Sequence, residues 1–356
     1  MRPTFALLIC LCLSPQLQGQ LLTDVMSKLS IHGYVSQAWA TSEDHQIFGI
    51  PTDGTTDYRD LALQFRYDQS RENVFVVQLR HQRLGDSPQA ESIDDVRLDW
   101  AFYQRRFSDR FSLKAGRIPL PLGIFNEAEG AGATFPFYRL PDEFYVRQYT
   151  SKTLEGVLAT TSIGGPGGWS FDADAYFGQW ALDQWSETSS ADARNAWGTQ
   201  LWANTPIEGV RIGGGAYRCT VEQYAGYPAD YLMLHGSLEA DLDRWRFAAE
   251  YLRGDLDFYG RYHAWYGQAG VNLNRRLSVH ARLAVARLEL PRNGDSSTAR
   301  ISDDFGLALN YAIHHGLLLK LEGHTNEGLL RDDLPRNLLG PPEKTRYFIA
   351  SIVATF

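Results

Sequence analysis

The amino-acid sequence predicts an all-β chain folded as a transmembrane, up-and-down antiparallel β-barrel of about sixteen strands with one long in-folded loop. Three observations predict it. Short segments alternate apolar and polar side chains, the connections between them alternate short and long, and the last segment is an apolar-faced strand that stops on Phe356. A barrel crosses hydrocarbon by pairing every backbone group around a closed ring, so strands of modest hydropathy suffice.

Residues 1–19 read as a signal peptide. Arg2 gives a positive start, Phe5 to Leu13 form an apolar run, and small and polar residues lead to a cut near Gly19 and Gln20. The run is much shorter than the ~20 residues of a spanning helix. Cys10 and Cys12 leave with it, so Cys219 stands alone in the mature chain and no intrachain disulfide is expected. Cys219 itself reads as a small apolar residue near a strand end. Residues 20–356 form one barrel domain.

Aromatic residues make up 13% of the chain, yet mean hydropathy is -0.31 and the net charge is -8. A chain of that charge has no positive field to draw phosphates, which excludes general nucleic-acid binding.

The strand pattern is sustained. Leu61, Leu63, Phe65 and Tyr67 alternate with Gln64, Arg66 and Asp68. Val96, Leu98, Trp100 and Phe102 stand against Arg97, Asp99, Tyr103 and Arg105, and Trp169, Phe171, Ala173, Ala175 and Phe177 against Ser170, Asp172, Asp174 and Tyr176. Phe305, Leu307, Leu309, Tyr311 and Ile313 share a face. Sixteen such segments centre near residues 35, 63, 78, 99, 113, 157, 173, 199, 213, 236, 249, 267, 282, 307, 321 and 351. One segment alone could belong to a soluble sheet. The connections decide. Turns such as 69–71, 108–109 and 314–316 alternate with long stretches at 42–57, 85–93, 118–150, 179–194, 220–230, 254–261, 290–300 and 327–345. Short turns on one rim and long loops on the other are the mark of a membrane barrel, whereas a sandwich or jelly roll carries Greek-key crossings. In the last segment Phe348, Ala350, Ile352, Ala354 and Phe356 share a face. Bacterial outer-membrane barrels commonly end on such a Phe, so Phe356 is the expected signal for the barrel assembly machinery.

The segment Lys114-Ala115-Gly116-Arg117-Ile118-Pro119-Leu120-Pro121-Leu122-Gly123-Ile124-Phe125-Asn126-Glu127 resembles one found in Gram-negative outer-membrane porins, most closely the phosphate-selective porin O/P group and its relatives. The opening strand Ile31-His32-Gly33-Tyr34-Val35 is similar to theirs as well. The resemblance implies a porin in the cell outer membrane that passes small hydrophilic solutes or ions by passive diffusion. It also implies contact with outer-membrane lipid, assembly as a homotrimer, and no cofactor. Members of that group line their pores with lysines; this chain has only Lys28, Lys114, Lys152, Lys320 and Lys344.

Selectivity in a pore follows from inward side chains and from any loop folded inside. The longest connection, 118–150, is rich in aromatics, which a solvated loop rarely is. It reads as a constriction loop, with Arg117, Glu127, Glu129, Arg139, Asp142, Glu143 and Arg147 as its charged groups. The other placement is a cap over the mouth. The wall it would face is basic in this register, through Arg66, Arg80, Arg97, Arg105, Arg110 and Lys114. Acidic loop against basic wall would set a transverse field. The plainer reading pairs these arginines with Asp60, Asp95 and Asp99. Trp39, Trp169, Trp180, Trp185, Tyr262 and Trp265 read as interfacial girdles, and Trp202 as an inward ring.

Two other classes compete: an outer-membrane enzyme and a surface-binding β-protein. His235 and Ser237 share a strand face, but the opposite face is Leu232, Leu234 and Leu238, so both point into the lumen. Glu127 and Glu129 suggest no cleft by spacing alone. No Cys/His set has metal-ligand spacing, and His314-His315 falls in a turn.

Overall fold

The computed structural model describes residues 26–85, 96–126, 135–145, 153–182, 191–221, 228–257, 260–292, 295–329 and 342–356. The predicted signal peptide, Glu127, Glu129, Arg147, Asp95 and Trp185 lie outside them.

Sixteen strands form a closed barrel. They are β1 (Leu29–Ser42), β2 (Thr55–Asp68), β3 (Asn73–Leu84), β4 (Arg97–Ser108), β5 (Phe111–Pro119), β6 (Thr153–Gly164), β7 (Ser170–Leu182) and β8 (Ala191–Asn204). Then follow β9 (Val210–Val221), β10 (Ala229–Leu242), β11 (Trp245–Leu256), β12 (Gly260–Asn272), β13 (Leu277–Arg292), β14 (Asp295–His314), β15 (Leu317–Gly328) and β16 (Glu343–Thr355). Each strand pairs antiparallel with its sequence neighbours, and β16 closes on β1 from Tyr34 opposite Thr355 to Ser42 opposite Tyr347. Phe356 and Gly33 exchange two backbone hydrogen bonds of 3.0 Å, so the last residue completes the ring. All sixteen predicted centres fall inside strands. Two predicted long loops do not survive: residues 290–300 are mostly strand, because β13 and β14 continue as a hairpin to Arg292 opposite Asp295, and of 254–261 only 257–259 lie between β11 and β12.

The outward face is apolar and exposed, through residues such as Phe171, Phe177, Leu201, Leu307 and Ile352. A continuous apolar belt of this kind around a closed ring is a lipid-facing surface. Trp39, Trp169 and Trp265 belong to it, as do Trp197 and Trp245, which the sequence reading missed. Trp180 and Tyr262 correct the girdle prediction. They share the parity of Tyr176 and Tyr266 and point inward; Trp180 is buried with its ring 5.4 Å from Tyr217.

A second correction concerns β4. Its register against β3 slips between Gln78 and Leu79, so Asp99 is an extra residue. Leu98 stays outward, but Trp100 and Phe102 turn in to pack on Val74 and Val76. A bulge reverses parity, and alternation read along one strand cannot see it.

The inward face also departs from the expected polar lining. From β6 to β12 it carries Leu154, Leu158, Tyr217, Tyr231, Met233, Leu252 and Tyr266, all buried. Gly213 lets the Trp202 ring lie flat against this wall: a Cβ there would sit 2.4 Å from the ring. A wall so apolar needs something packed against it.

Candidate functional site

What packs against it is the connection after β5. Its first arm runs from Ile118 to Asn126. Ile118, Leu120, Leu122 and Ile124 are buried in one cluster with the apolar residues of β6 to β12. Two wall side chains anchor this arm: Gln200 Nε2 of β8 donates to Gly123 O at 3.1 Å, and a carboxylate on β11 gathers the other contacts. Glu250 of β11, buried, accepts hydrogen bonds from Ile124 N (3.0 Å), Ser237 Oγ (2.5 Å), Tyr266 Oη (2.6 Å) and Tyr145 Oη. Tyr145 Oη in turn accepts from the backbone of Ile124 and Phe125, each at 3.0 Å. Gly123 makes the turn at φ +62°, and a Cβ there would lie 2.5 Å from the Glu250 carboxylate. Only glycine meets both demands.

The second arm runs from Phe135 to Tyr145 and ends in one helical turn, α1 (Asp142–Tyr145). Here wall side chains satisfy the loop backbone. Lys320 Nζ donates to Phe135 O (2.6 Å), Asn310 Nδ2 to Pro136 O (3.0 Å), Arg282 Nη1 to Arg139 O (2.8 Å) and Tyr262 Oη to Glu143 O (2.7 Å). Tyr138 N donates to Glu322 (2.6 Å). A buried irregular backbone requires partners of this sort, which is why polar residues line β13 to β15.

Of the charged groups predicted for this loop, Arg139, Asp142 and Glu143 lie in the described arms, and all three are engaged. Arg139 donates to both Asp142 oxygens (3.0 and 2.6 Å) and to Tyr58 Oη (2.9 Å), and lies over the Phe48 ring. Asp142 so close holds the Arg139 guanidinium well above its ordinary range, despite its burial. Glu143 accepts from Ser302 Oγ (2.5 Å). Its burial, with Asp304 and Asp142 nearby, pushes the carboxyl up to about 7. Arg117 corrects the prediction. The alternation of β5 continues to Pro119, so Arg117 is a strand residue of outward parity, ion-paired with Glu155 at 3.4 Å.

Of the predicted basic wall, Arg66, Arg80, Arg97 and Lys114 have inward parity. Arg80 is buried and bidentate on Asp60 (2.9 and 2.7 Å), which also takes Tyr34 Oη. Arg66 pairs with Asp68 at 2.9 Å, and Lys114 lies over Phe102. Arg105 and Arg110 are corrections. The β4 bulge turns Arg105 outward, opposite Asn73, and Arg110 sits in the turn after β4. Inward polar groups that keep partial exposure include Arg66, Lys114, Asp172, Asp174, Arg211 and Glu239. Asp172 and Asp174 accept from Ser162 and Thr160, and Arg211 pairs with Glu239 at 2.5 Å.

Sequence reasoning missed Glu250, whose signal was a single carboxylate between Ala248 and Leu252 on an apolar inward face. It also missed a second in-folded loop. Ile47, Phe48 and Ile50, between β1 and β2, are buried with Ala264, Ala286 and Ile349. An Ile-Phe-Gly-Ile run inside a polar connection was the available clue. His235 and Ser237 do point inward, and Ser237 is hydrogen-bonded to Glu250.

No protein-family model matches the chain, and no curated protein matches it in sequence. Solved structures match in fold. OmpF of Salmonella typhi, in complex with daunomycin, superposes with a TM-score of 0.62 at 12% identity, covering 92% of this chain and 97% of its own. An anion-selective porin from Comamonas acidovorans gives 0.59 at 10%, covering 92% and 99%. The trimer form of OmpT, an outer membrane protein of Vibrio cholerae, gives 0.57 at 9%, covering 92% and 99%. Likeness at such identities is one of architecture: the chain has the sixteen-strand barrel fold of these outer-membrane proteins.

Proposed function

We propose that this chain is an outer-membrane porin that lets small hydrophilic solutes or ions diffuse through a lumen narrowed by the loop after β5. The observation that carries the reading is the division of the inner wall. One part of it, on β6 to β15, is covered by the two loop arms, while elsewhere along β2, β5, β7, β9 and β10 the inward residues Arg66, Lys114, Asp172, Asp174, Arg211 and Glu239 stay in partial contact with solvent. Water and solutes would pass along those residues, between charges of both signs. Such a mixed lining favours weak ion selectivity over the strong anion preference of a lysine-lined pore. The likeness of residues 114–127 to the phosphate-selective group is then one of layout.

Residues 1–19 would direct export and be removed, and Phe356 would serve the assembly machinery. A homotrimer is the expected assembly, by analogy with the trimer form of the Vibrio protein. No catalytic role is assigned: the hydroxyl of Ser237, half of the one hydrolase-like pair, is used to hold Glu250.

Reconstitution in planar lipid bilayers tests this. The folded protein should give discrete conductance steps, with the reversal potential under a salt gradient showing weak selectivity. Replacing Arg97 and Lys114 by alanine should raise cation over anion permeability by roughly two- to five-fold, as the local field turns negative. Absence of conductance steps from correctly folded protein would end the porin reading.

A further inference from the structure

The outward arginines of this barrel fall into two classes. At the long-loop end they are ion-paired: Arg83 with Asp57, Arg117 with Glu155, Arg218 with Asp230 and Arg261 with Asp255 on neighbouring strands, and Arg300 with Asp303 of its own strand and Glu327 of the next. At the short-turn end, Arg105 points outward from β4, with Arg71 and Arg110 beside it in the β2–β3 and β4–β5 turns. All three are exposed, and among the described residues none has a carboxylate within ion-pair distance. Glu72 and Asp109 share those turns but lie beyond that distance.

The height of this cluster is fixed by its neighbours. Tyr67, Phe75 and Tyr103 form an outward aromatic row, with ring centroids 6.4 and 4.9 Å apart. Such rows mark the membrane interface. Arg105 is the next outward residue after Tyr103 towards the turn, and its guanidinium lies 5.2 Å from the centroid of the Phe107 ring. Phe107, 55% exposed, pairs in turn with Phe111. Arg105 thus leaves the strand inside the apolar belt and reaches along an aromatic ring towards the rim, as a snorkelling side chain does. Arg106, the next residue, has inward parity opposite Ser112, and its N–H donates to Glu72 O at 2.7 Å, which ties the two turns together. Three guanidinium-bearing residues at two adjacent turns, beside exposed rings and without internal counter-ions, have one complement at that depth: a phosphate carried on acyl chains.

We propose that the outward arginine cluster of the first two short turns, centred on Arg105, binds the phosphate headgroup of an anionic glycerophospholipid in the leaflet at the short-turn side. Guanidinium forks take phosphate oxygens in pairs, and the Phe107 and Phe111 rings cover the first methylenes. The inference rests on the membrane-spanning reading but not on any property of the pore.

The full mature barrel, reconstituted in bilayers of mixed phosphatidylglycerol and phosphatidylcholine, tests it through the relative association of spin-labelled forms of the two lipids. The wild type should prefer phosphatidylglycerol by about five-fold or more, as expected for a few basic groups at an anionic surface. The triple variant Arg71→Gln, Arg105→Gln, Arg110→Gln should lose that preference, and Arg105→Gln alone should lower it, keeping the test open if the triple variant folds poorly. Arg261→Gln, at the paired end, should leave it unchanged. Equal association of both lipids with the wild type would overturn the proposal, as would a preference retained in both arginine variants. Displacement of the lipid by inorganic phosphate would reassign the cluster to a soluble anion and overturn it too. Single-channel conductance measured on the same samples separates these outcomes from a failure of the porin reading.

Discussion

The two arms of the in-folded loop dock on one barrel by different chemistry. The first arm puts Ile118, Leu120 and Leu122 into an apolar cluster and, apart from the bond of Gln200 to Gly123 O, gathers its polar contacts with the wall on a single carboxylate, Glu250. The second arm spreads its polar contacts over Tyr262, Arg282, Asn310, Lys320 and Glu322, on four strands, with one backbone group for each. Apolar burial is indifferent to small slips, so the first arm needs one directional lock. Backbone satisfaction is directional at every residue, so the second arm is held in register by many weak ones. The first arm should therefore fail at one point, and the second only by degrees.

Glu250→Ala is the sharpest way to break that contrast. It leaves the hydroxyls of Ser237, Tyr145 and Tyr266 without their acceptor in a buried site, while Ile124 N keeps only its bond to Tyr145 Oη. At about 1–3 kcal/mol for each stranded donor, the loss is on the order of 4 kcal/mol or more. The first arm should leave the wall and single-channel conductance should rise clearly, while unboiled protein still migrates as a folded barrel on detergent gels. Wild-type conductance in this variant would mean that apolar burial alone holds the arm.

Asn310→Ala is the matching lesion in the second arm. It strands one acceptor, Pro136 O, at about 1 kcal/mol. Four neighbouring contacts remain, so conductance should change little and only the open-channel noise should grow. An effect as large as that of Glu250→Ala would show that the second arm also hangs on one point.

How much of this was legible in the sequence follows the same physics. Strand number, closure and loop order were legible because lipid imposes alternation on outward residues such as Leu61, Leu63 and Phe65. The packing of 118–126 and 135–145 against the wall was legible from the aromatics of that connection. The docking wall was not, because strands such as β10 carry apolar residues on both faces: Tyr231 and Met233 within, Leu232 and Leu234 without. Alternation carries no information there. Arg105 failed for another reason. One extra residue at Asp99 reverses the parity of everything after it, and no residue type announces that bulge. Glu250 showed as a lone carboxylate, but its four donors come from three separate parts of the chain, which only the closed ring brings together.

The smallest expected effect belongs to Glu143, and it separates the arms by pH. Its carboxyl faces Asp142 from its own arm and Ser302, Asp304 and Tyr347 from the wall, with His324 bonded to Asp304 at 2.9 Å. Docked, it titrates near 7; released into water it would return to the ordinary range near 4.5. A carboxyl raised in this way favours the docked arm while it stays protonated. That contribution is fully present below about 4.5 and is lost as pH rises through 7. Between pH 6 and 7.5 it amounts to roughly 1 kcal/mol. Channel noise and mean conductance should therefore increase modestly from pH 6 to 7.5, and Glu143→Gln, which cannot ionise, should hold them flat. Glu250→Ala should keep the pH response, because in the second arm it strands only the Tyr145 hydroxyl and leaves the contacts of Glu143 in place. Loss of the response in that variant would show that the two arms move as one, and the distinction between them would be structural without being energetic.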